Sequence, residues 1–280
     1  LLPMPNHIEQ VQGKPFSLTG KNITIHPGQP ELKFAATTLQ SILKDRMQVD
    51  IPLSGSRQSP IRLIIDPQLE GKEHYQLKVD QKGMTISGAS AAAVFYGVMT
   101  VVQVLLGDVC SSNRKEMTPI SIDDAPRFGY RALMLDPARH FLPIEDVKFY
   151  IDQMVRYKYN VLQLHLTDDQ GWRIEIKQYP KLATIGGEGC HSDPDTPAQY
   201  YTAGQSFYTQ EELADLIRYA AERHVEIVPE LDIRGHTVAV LAAYPELGCT
   251  HTDTIAKNVG ETVNLMLCAN NEKVYEVYKD

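Results

Sequence analysis

The chain has 280 residues, 27 Lys and Arg against 35 Asp and Glu, and a formal net charge of −8. With 43% hydrophobic and 22% charged residues it can bury a core as one large domain or two smaller ones, which excludes a disordered chain. The acidic balance and the absence of any basic run exclude nucleic acid and anionic membranes as expected partners.

Residues 22–26 (Asn-Ile-Thr-Ile-His) predict a short strand. Over residues 31–47, Leu32, Ala35, Ala36, Leu39, Ile42 and Leu43 recur with helical spacing. The β-branched run at 61–65 predicts a strand, and residues 75–79 and 84–87, flanking Asp80-Gln-Lys-Gly83, predict a hairpin. Residues 91–106 form the most apolar stretch. Tyr96, Gly97, Thr100 and Gln103 interrupt it, and it falls short of the ~20 residues a membrane span needs, so a buried helix is predicted. The segment 108–127, polar and carrying Pro119 and Pro126, predicts a linker. Residues 1–125 thus read as a small α/β scaffold domain, an antiparallel sheet with helices, bearing no chemical constellation. The four cysteines, Cys110, Cys190, Cys249 and Cys268, form no C-x-x-C pair, which excludes a zinc ribbon or a thioredoxin-like motif. Cys249 and Cys268 stay open between a disulfide and two buried thiols. Leu1-Leu-Pro3 has no basic n-region or cleavage site, so a processed or trimmed product is expected.

The second half, residues 126–280, changes rhythm. The apolar run at 131–135 predicts a strand buried on both faces. An amphipathic helix over 146–159, a strand over 160–166, a helix opened by the capping box Thr209-Gln-Glu-Glu212, and a strand over 225–231 follow. The alternation implies parallel strands joined by right-handed crossovers.

In such folds chemistry gathers where strands end. Here Asp136, Arg139 and His140 follow the first strand, and His165, Thr167, Asp168, Asp169, Gln170 and Trp172 the second. Glu230, Asp232 and His236 follow the third. Each has a structural reading: Arg139 paired with Asp136 or Glu145, His165 as a core histidine, Asp169 and Glu230 as caps or fold-stabilising pairs, Asp232 and His236 as caps of the next helix. Trp172, after Gln170-Gly171, reads either as core or as a sugar-stacking platform. The joint pattern points to an active site for a polar, uncharged or weakly charged substrate. His165, Asp168, Asp232 and His236 are metal-ligand types, but without an H-x-H or H-E-x-x-H pair no metal is expected. No G-x-G-x-x-G joins a strand to a helix; Gly186-Gly-Glu-Gly189 sits in a long loop. No G-x-S-x-G marks a serine nucleophile.

Arg131-Ala-Leu-Met-Leu-Asp-Pro-Ala-Arg-His-Phe141, His165-Leu-Thr-Asp-Asp-Gln-Gly-Trp-Arg173 and Pro229-Glu-Leu-Asp-Ile-Arg-Gly-His236 resemble the β-N-acetylhexosaminidases of glycoside hydrolase family 20. Residues 94–103 are similar to the end of that family's amino-terminal domain. The resemblance implies a (β/α)8 TIM-type barrel behind the small α/β domain. It also implies removal of terminal GlcNAc or GalNAc with retention, by substrate-assisted catalysis and without a cofactor. Arg139 then matches the arginine that binds sugar hydroxyls, and Asp168 and His236 the carboxylate–imidazole pair beside the general acid. Asp232 takes a supporting role, and Trp172 contacts the sugar. The family's Asp-Glu pair, which orients the acetamido group and protonates the leaving oxygen, is absent: no Asp is followed directly by Glu anywhere in the chain. About three of eight barrel strands are therefore expected, from a truncated polypeptide that is inactive by itself. Arg234 and Gln163 stand where the family usually has Pro and often has His. The implied partners are N-acetylhexosamine-terminated glycans, met in a periplasmic or secreted location. The alternative is a non-catalytic glycan-binding or assembly module; a metal-dependent hydrolase is a weaker third.

Overall fold

The computed structural model describes residues 1–26, 28–54, 59–107, 115–188, 206–233, 235–249 and 266–279. Cys110, Cys190, Gly189 and Arg234 lie outside the described residues. The chain divides into two compact units. Unit 1 is Leu1–Arg131 with Asp152–Asn160 and Glu222–His224. Unit 2 is Ala132–Ile151, Val161–Ala221 and Val225–Asp280.

Unit 1 contains strands β1 (His7–Gln10), β2 (Phe16–Ser17), β3 (Ile23–Ile25), β4 (Leu53–Ser54), β5 (Ile61–Ile65), β6 (Tyr75–Asp80), β7 (Gly83–Gly88), β8 (Glu116–Met117) and β9 (Ile120–Asp124). Its long helices are α1 (Lys33–Met47) and α2 (Ala91–Leu106). Seven strands form one sheet in the order β1-β9-β6-β7-β5-β3-β4. The sheet is mixed, which corrects the antiparallel expectation: β1, β9, β6 and β7 pair antiparallel, while β5 runs parallel to both β7 and β3. The cause is α1, a crossover that returns the chain so that β5 enters in the direction of β3. The linker expected over 108–127 is also corrected. Its part Ile120–Asp124 is β9, hydrogen-bonded on both sides to β1 and β6.

The helices follow their apolar spacing. α1 buries Ala35, Ala36, Leu39 and Leu43 and closes on Gln48, whose left-handed φ of 54° caps it. α2 is buried at every position from Ala93 to Val102, and Ser90 caps its start by accepting from the Ala93 amide. Gly97 permits the close approach of this helix to the sheet, because a Cβ there would run into Ile86 and the Tyr75 ring.

Unit 2 carries β10 (Ala132–Leu135), β11 (Val161–His165), β12 (Thr167–Asp168), β13 (Gly171–Trp172) and β14 (Glu226–Glu230). Its helices are α4 (Pro180–Thr184), α5 (Gln210–Glu222), α6 (Val238–Ala243) and α7 (Glu272–Val277), together with the first two turns of α3 (Ile144–Arg156). β10, β11 and β14 pair parallel in that order, as the βαβ rhythm predicts. β10 is not buried on both faces: Met134 is 52% exposed, and Ala132, Leu133 and Leu135 are half-buried. A second core gathers Trp172, Leu182, Val240, Leu241, Leu247, Leu267, Val274 and Val277. Cys249 and Cys268 are free thiols that share a hydrogen bond, which holds the Cys268 thiol below its ordinary value. Among the described residues no helix is long and apolar enough to cross a membrane.

Candidate active site

The three parallel strands place their carboxyl ends side by side. Leu135 pairs with Leu164, and His165 pairs with Glu230. Because side chains alternate along a strand, Gln163 and His165 share one face of β11. Beyond His165 the chain turns into the β12–β13 hairpin, in which Asp168 pairs with Gly171. The hairpin brings Asp168 back beside the strand it has just left.

Asp168 is the buried centre, its side chain 1% exposed. Arg139 Nη2 lies 2.6 Å and His165 Nε2 2.9 Å from its Oδ2. The Asp169 amide donates to Oδ1 at 2.6 Å, and His236 Nδ1 lies 3.1 Å from the same oxygen. The other edge of Arg139 donates to Asp136 Oδ2 at 2.6 Å. The Asp136 hydrogen bond raises the guanidinium's basicity, and Asp168 adds to it. Two of the five guanidinium N–H groups are thereby used, and the side chain remains 44% exposed, so donors are left for a ligand. His236 is 52% exposed and holds a left-handed φ of 55°, a conformation costly for a non-glycine residue.

His165 reaches a second carboxylate, with Nδ1 at 3.2 Å from Glu230 Oε1. Gln163 Nε2 donates to the other oxygen of Glu230. Burial opposes charge on His165, but the Asp168 hydrogen bond, together with Asp136 and Glu230, raises its pKa above the ordinary histidine value. Asp232 stands within 4.8 Å of the donor atoms of His165 and Glu230, and its amide donates to Thr167 Oγ1. Asp169 matches its structural reading, accepting from the Val238 amide at the start of α6. Both sets of groups near enough to share a cation, His165/Glu230/Asp232 and Asp168/Asp169/His236, contain ion pairs among their own members. His140 is exposed, and its amide donates to the Asp136 carbonyl.

The expectation that Trp172 stacks on a sugar is corrected. Its ring is 2% exposed and lies edge-on to Tyr278 in the second core, and its indole N–H donates to the Ile174 carbonyl. The hairpin turns it away from the side that presents Asp168.

Arg173 is a residue the sequence reading passed over. Its guanidinium is buried and donates to the carbonyls of Pro137, Ala138, Gly187 and Ser206 at 2.7–2.9 Å. Burial without a carboxylate partner pulls its pKa down to about 10. Two of those carbonyls belong to the turn that carries Arg139, so Arg173 fixes that turn. Gly171 leaves room for it, since a Cβ there would meet the guanidinium. Its sequence signal is its place as the last residue of the run His165–Arg173.

Comparison with known proteins agrees with this geometry. Residues 128–280 match the family described as "Glycosyl hydrolase family 20, catalytic domain", and residues 1–125 match "Glycosyl hydrolase family 20, domain 2". A beta-hexosaminidase of Porphyromonas gingivalis is 37% identical over 288 residues, covering 100% of this chain and 36% of that protein. A beta-hexosaminidase of Vibrio furnissii is 41% identical over 250 residues, covering 88% of this chain and 39% of that protein. Among solved structures, the Streptomyces plicatus N-acetyl-beta-hexosaminidase in complex with Thio-NAglucal superposes with a TM-score of 0.85 at 34% identity. It covers 99% of this chain and 54% of that one. The chain therefore spans between about a third and just over a half of these relatives. With its sheet domain and its TIM-barrel strands both accounted for, the chain belongs to glycosyl hydrolase family 20.

Proposed function

We propose that these residues are the amino-terminal domain and the sugar-holding part of the barrel of an exo-β-N-acetylhexosaminidase. The observation that supports this most is the arrangement around Asp168: one buried carboxylate that holds both an exposed guanidinium and an exposed imidazole. Arg139 offers its remaining N–H groups to neighbouring hydroxyls of the terminal sugar. Asp168 orients His236 through Nδ1, leaving Nε2 to exchange a proton with the general acid. Asp232 supports the same strand end. Residues 1–125 serve as scaffold and 126–280 contribute three strands of the barrel.

The chemistry is retaining and substrate-assisted. The substrate's acetamido oxygen attacks the anomeric carbon as the bond to the leaving oxygen breaks, and a glutamic acid gives that oxygen its proton. Water then opens the cyclic intermediate with a second inversion, returning the proton to the glutamate. The Asp-Glu pair that orients the acetamido group and supplies the proton is not among these 280 residues, as the sequence contains no such dipeptide. Residues 1–280 alone are accordingly inactive. The substrates are glycans ending in GlcNAc or GalNAc, met outside the cytoplasm.

The test assays nitrophenyl N-acetyl-β-glucosaminide and -galactosaminide with the full-length gene product and with residues 1–280. Turnover by the first with retained anomeric configuration, and none by the second, is expected. Sugar binding without turnover by the full-length product would replace the hydrolase with a glycan-binding module. Turnover by residues 1–280 would overturn the assignment of the acid.

A further inference from the structure

We propose that His165 is a positioning residue of this site: an imidazolium clamped between Asp168 and Glu230, whose fixed charge holds Asp168 ionised and aimed at His236. The proposal rests on the hexosaminidase reading and extends it to a residue that the sequence placed in the core.

The argument is one of donors and acceptors. His165 Nε2 lies 2.9 Å from Asp168 Oδ2, and Nδ1 lies 3.2 Å from Glu230 Oε1. An ionised carboxylate only accepts hydrogen bonds, so a ring placed between two of them satisfies both only when both nitrogens carry protons. A neutral ring would point one lone pair at a carboxylate oxygen. The partners are themselves held. Gln163 donates to the far oxygen of Glu230, the Asp169 amide donates to Asp168, and the Arg139 guanidinium pairs with Asp168, so neither carboxylate is free to rotate away.

The register of the sheet supplies the placement. His165 and Glu230 are direct neighbours on parallel strands, so their side chains leave the sheet on the same face. Four carboxylates gather round His165, Asp136 after β10, Asp168 in β12, and Glu230 and Asp232 at the end of β14, while Arg139 and His236 meet it through Asp168. Carboxylates outnumber cations in that set. A positive charge at their centre limits the repulsion that would otherwise push Asp168 out of line. His165 touches no substrate in this arrangement; it acts through Asp168.

The charge state is readable without any substitution. Leu164–His165 is the sole Leu-His step in the sequence. Labelling these 280 residues with carbonyl-13C leucine and uniformly 13C,15N-labelled histidine therefore selects this residue in magic-angle-spinning NMR, with magnetisation carried from its amide through its own carbons to its ring nitrogens. At pH 7.5 both ring nitrogens are expected to be protonated, with a titration midpoint above that of free histidine. In Glu230→Gln the midpoint is expected to fall by on the order of one pH unit, since one of the two clamping charges is gone. A single protonated nitrogen at pH 7.5, or a midpoint indifferent to Glu230→Gln, overturns the proposal. In the full-length gene product, His165→Gln is expected to lower kcat up to about 100-fold while KM changes little, and to move the alkaline limb of the pH profile. An unchanged pH profile would reduce His165 to packing. The two readings separate cleanly. No turnover beside a doubly protonated His165 sinks the hydrolase and leaves the imidazolium, whereas turnover beside a neutral His165 does the reverse.

Discussion

Unit 1 and unit 2 each bury a carboxylate against a cation, and the two clusters differ in whether they close. In unit 1, Asp124 Oδ2 takes a hydrogen bond from Lys158 Nζ at 3.0 Å and another from the Tyr75 hydroxyl at 2.9 Å. Lys158 also donates to the Tyr75 hydroxyl, and Thr100 lies 2.7 Å beyond it. The Lys158 and Asp124 side chains are 7% and 9% exposed. In unit 2 the carboxylate is deeper, but its partners Arg139 and His236 are about half exposed. A closed cluster spends its donors on the protein, so its loss falls on stability. An open cluster keeps donors in reserve, so its loss falls on function. The same salt-bridge chemistry thus serves two ends, and the exposure of the partner decides which.

The sharpest way to break this distinction is Lys158→Met. Removing one member of a buried pair leaves an uncompensated charge, and a loss of about 3–5 kcal/mol in urea unfolding is expected. Adding Asp124→Asn removes that charge while keeping an acceptor for Tyr75, so the double variant is expected to recover part of the loss. A single-variant loss below ~1 kcal/mol would show that the closed cluster is not structural.

Arg139→Met makes the opposite test. The guanidinium is more than a third exposed, and Asp168 keeps three other donors, so the unfolding free energy is expected to change by no more than about 1 kcal/mol. On the proposed hexosaminidase reading, turnover by the enzyme that carries these residues is expected to fall about 10- to 100-fold, the worth of a charge-assisted hydrogen bond to substrate. A variant that unfolds readily yet turns over normally would place Arg139 with Lys158 as a structural residue.

How far the sequence reveals this contrast depends on the range of the interactions. α1 and α2 were legible because their apolar spacing is local, as were β11 and β14 from the alternation of short strands with helices. The strand ends were legible too, because polar residues crowd where an apolar run stops. β9 was hidden between Pro119 and Pro126, since its pairing with β1 depends on residues more than a hundred positions away. Trp172 stayed open between core and sugar platform because Tyr278, which packs edge-on against it, lies more than a hundred positions away. Lys158 gave no sign at all. It sits in a left-handed turn, φ 60°, and finds Asp124 and Tyr75 only through the fold. His165 read as a core histidine, which its burial supports, but its clamp appears only once β11 and β14 are set in register.

The two clusters also answer differently to pH, which gives the smallest test because single groups carry it. His165 is raised above 6.5 in the folded protein, so the native state binds its proton more tightly than the unfolded chain does. That stabilisation is complete below pH 6.5 and is lost as the pH climbs through the folded value. Lys158 is displaced the other way. Burial lowers it below 10.5 more than Asp124 restores it, so the unfolded chain binds the proton more tightly, and stability rises with pH between the lowered value and 10.5. Glu73 in unit 1, held low by Arg131 despite its burial, matters only on the acid side, where its contribution is lost as the pH falls below 4.5. Hydrogen exchange of β11 and β7 amides, corrected for the intrinsic rate, should therefore diverge as the pH is raised from 6.5 toward 10.5. Protection in β11 is expected to fall, while protection in β7 holds or grows. Parallel slopes in the two strands would mean that the open cluster and the closed one share a single electrostatic character.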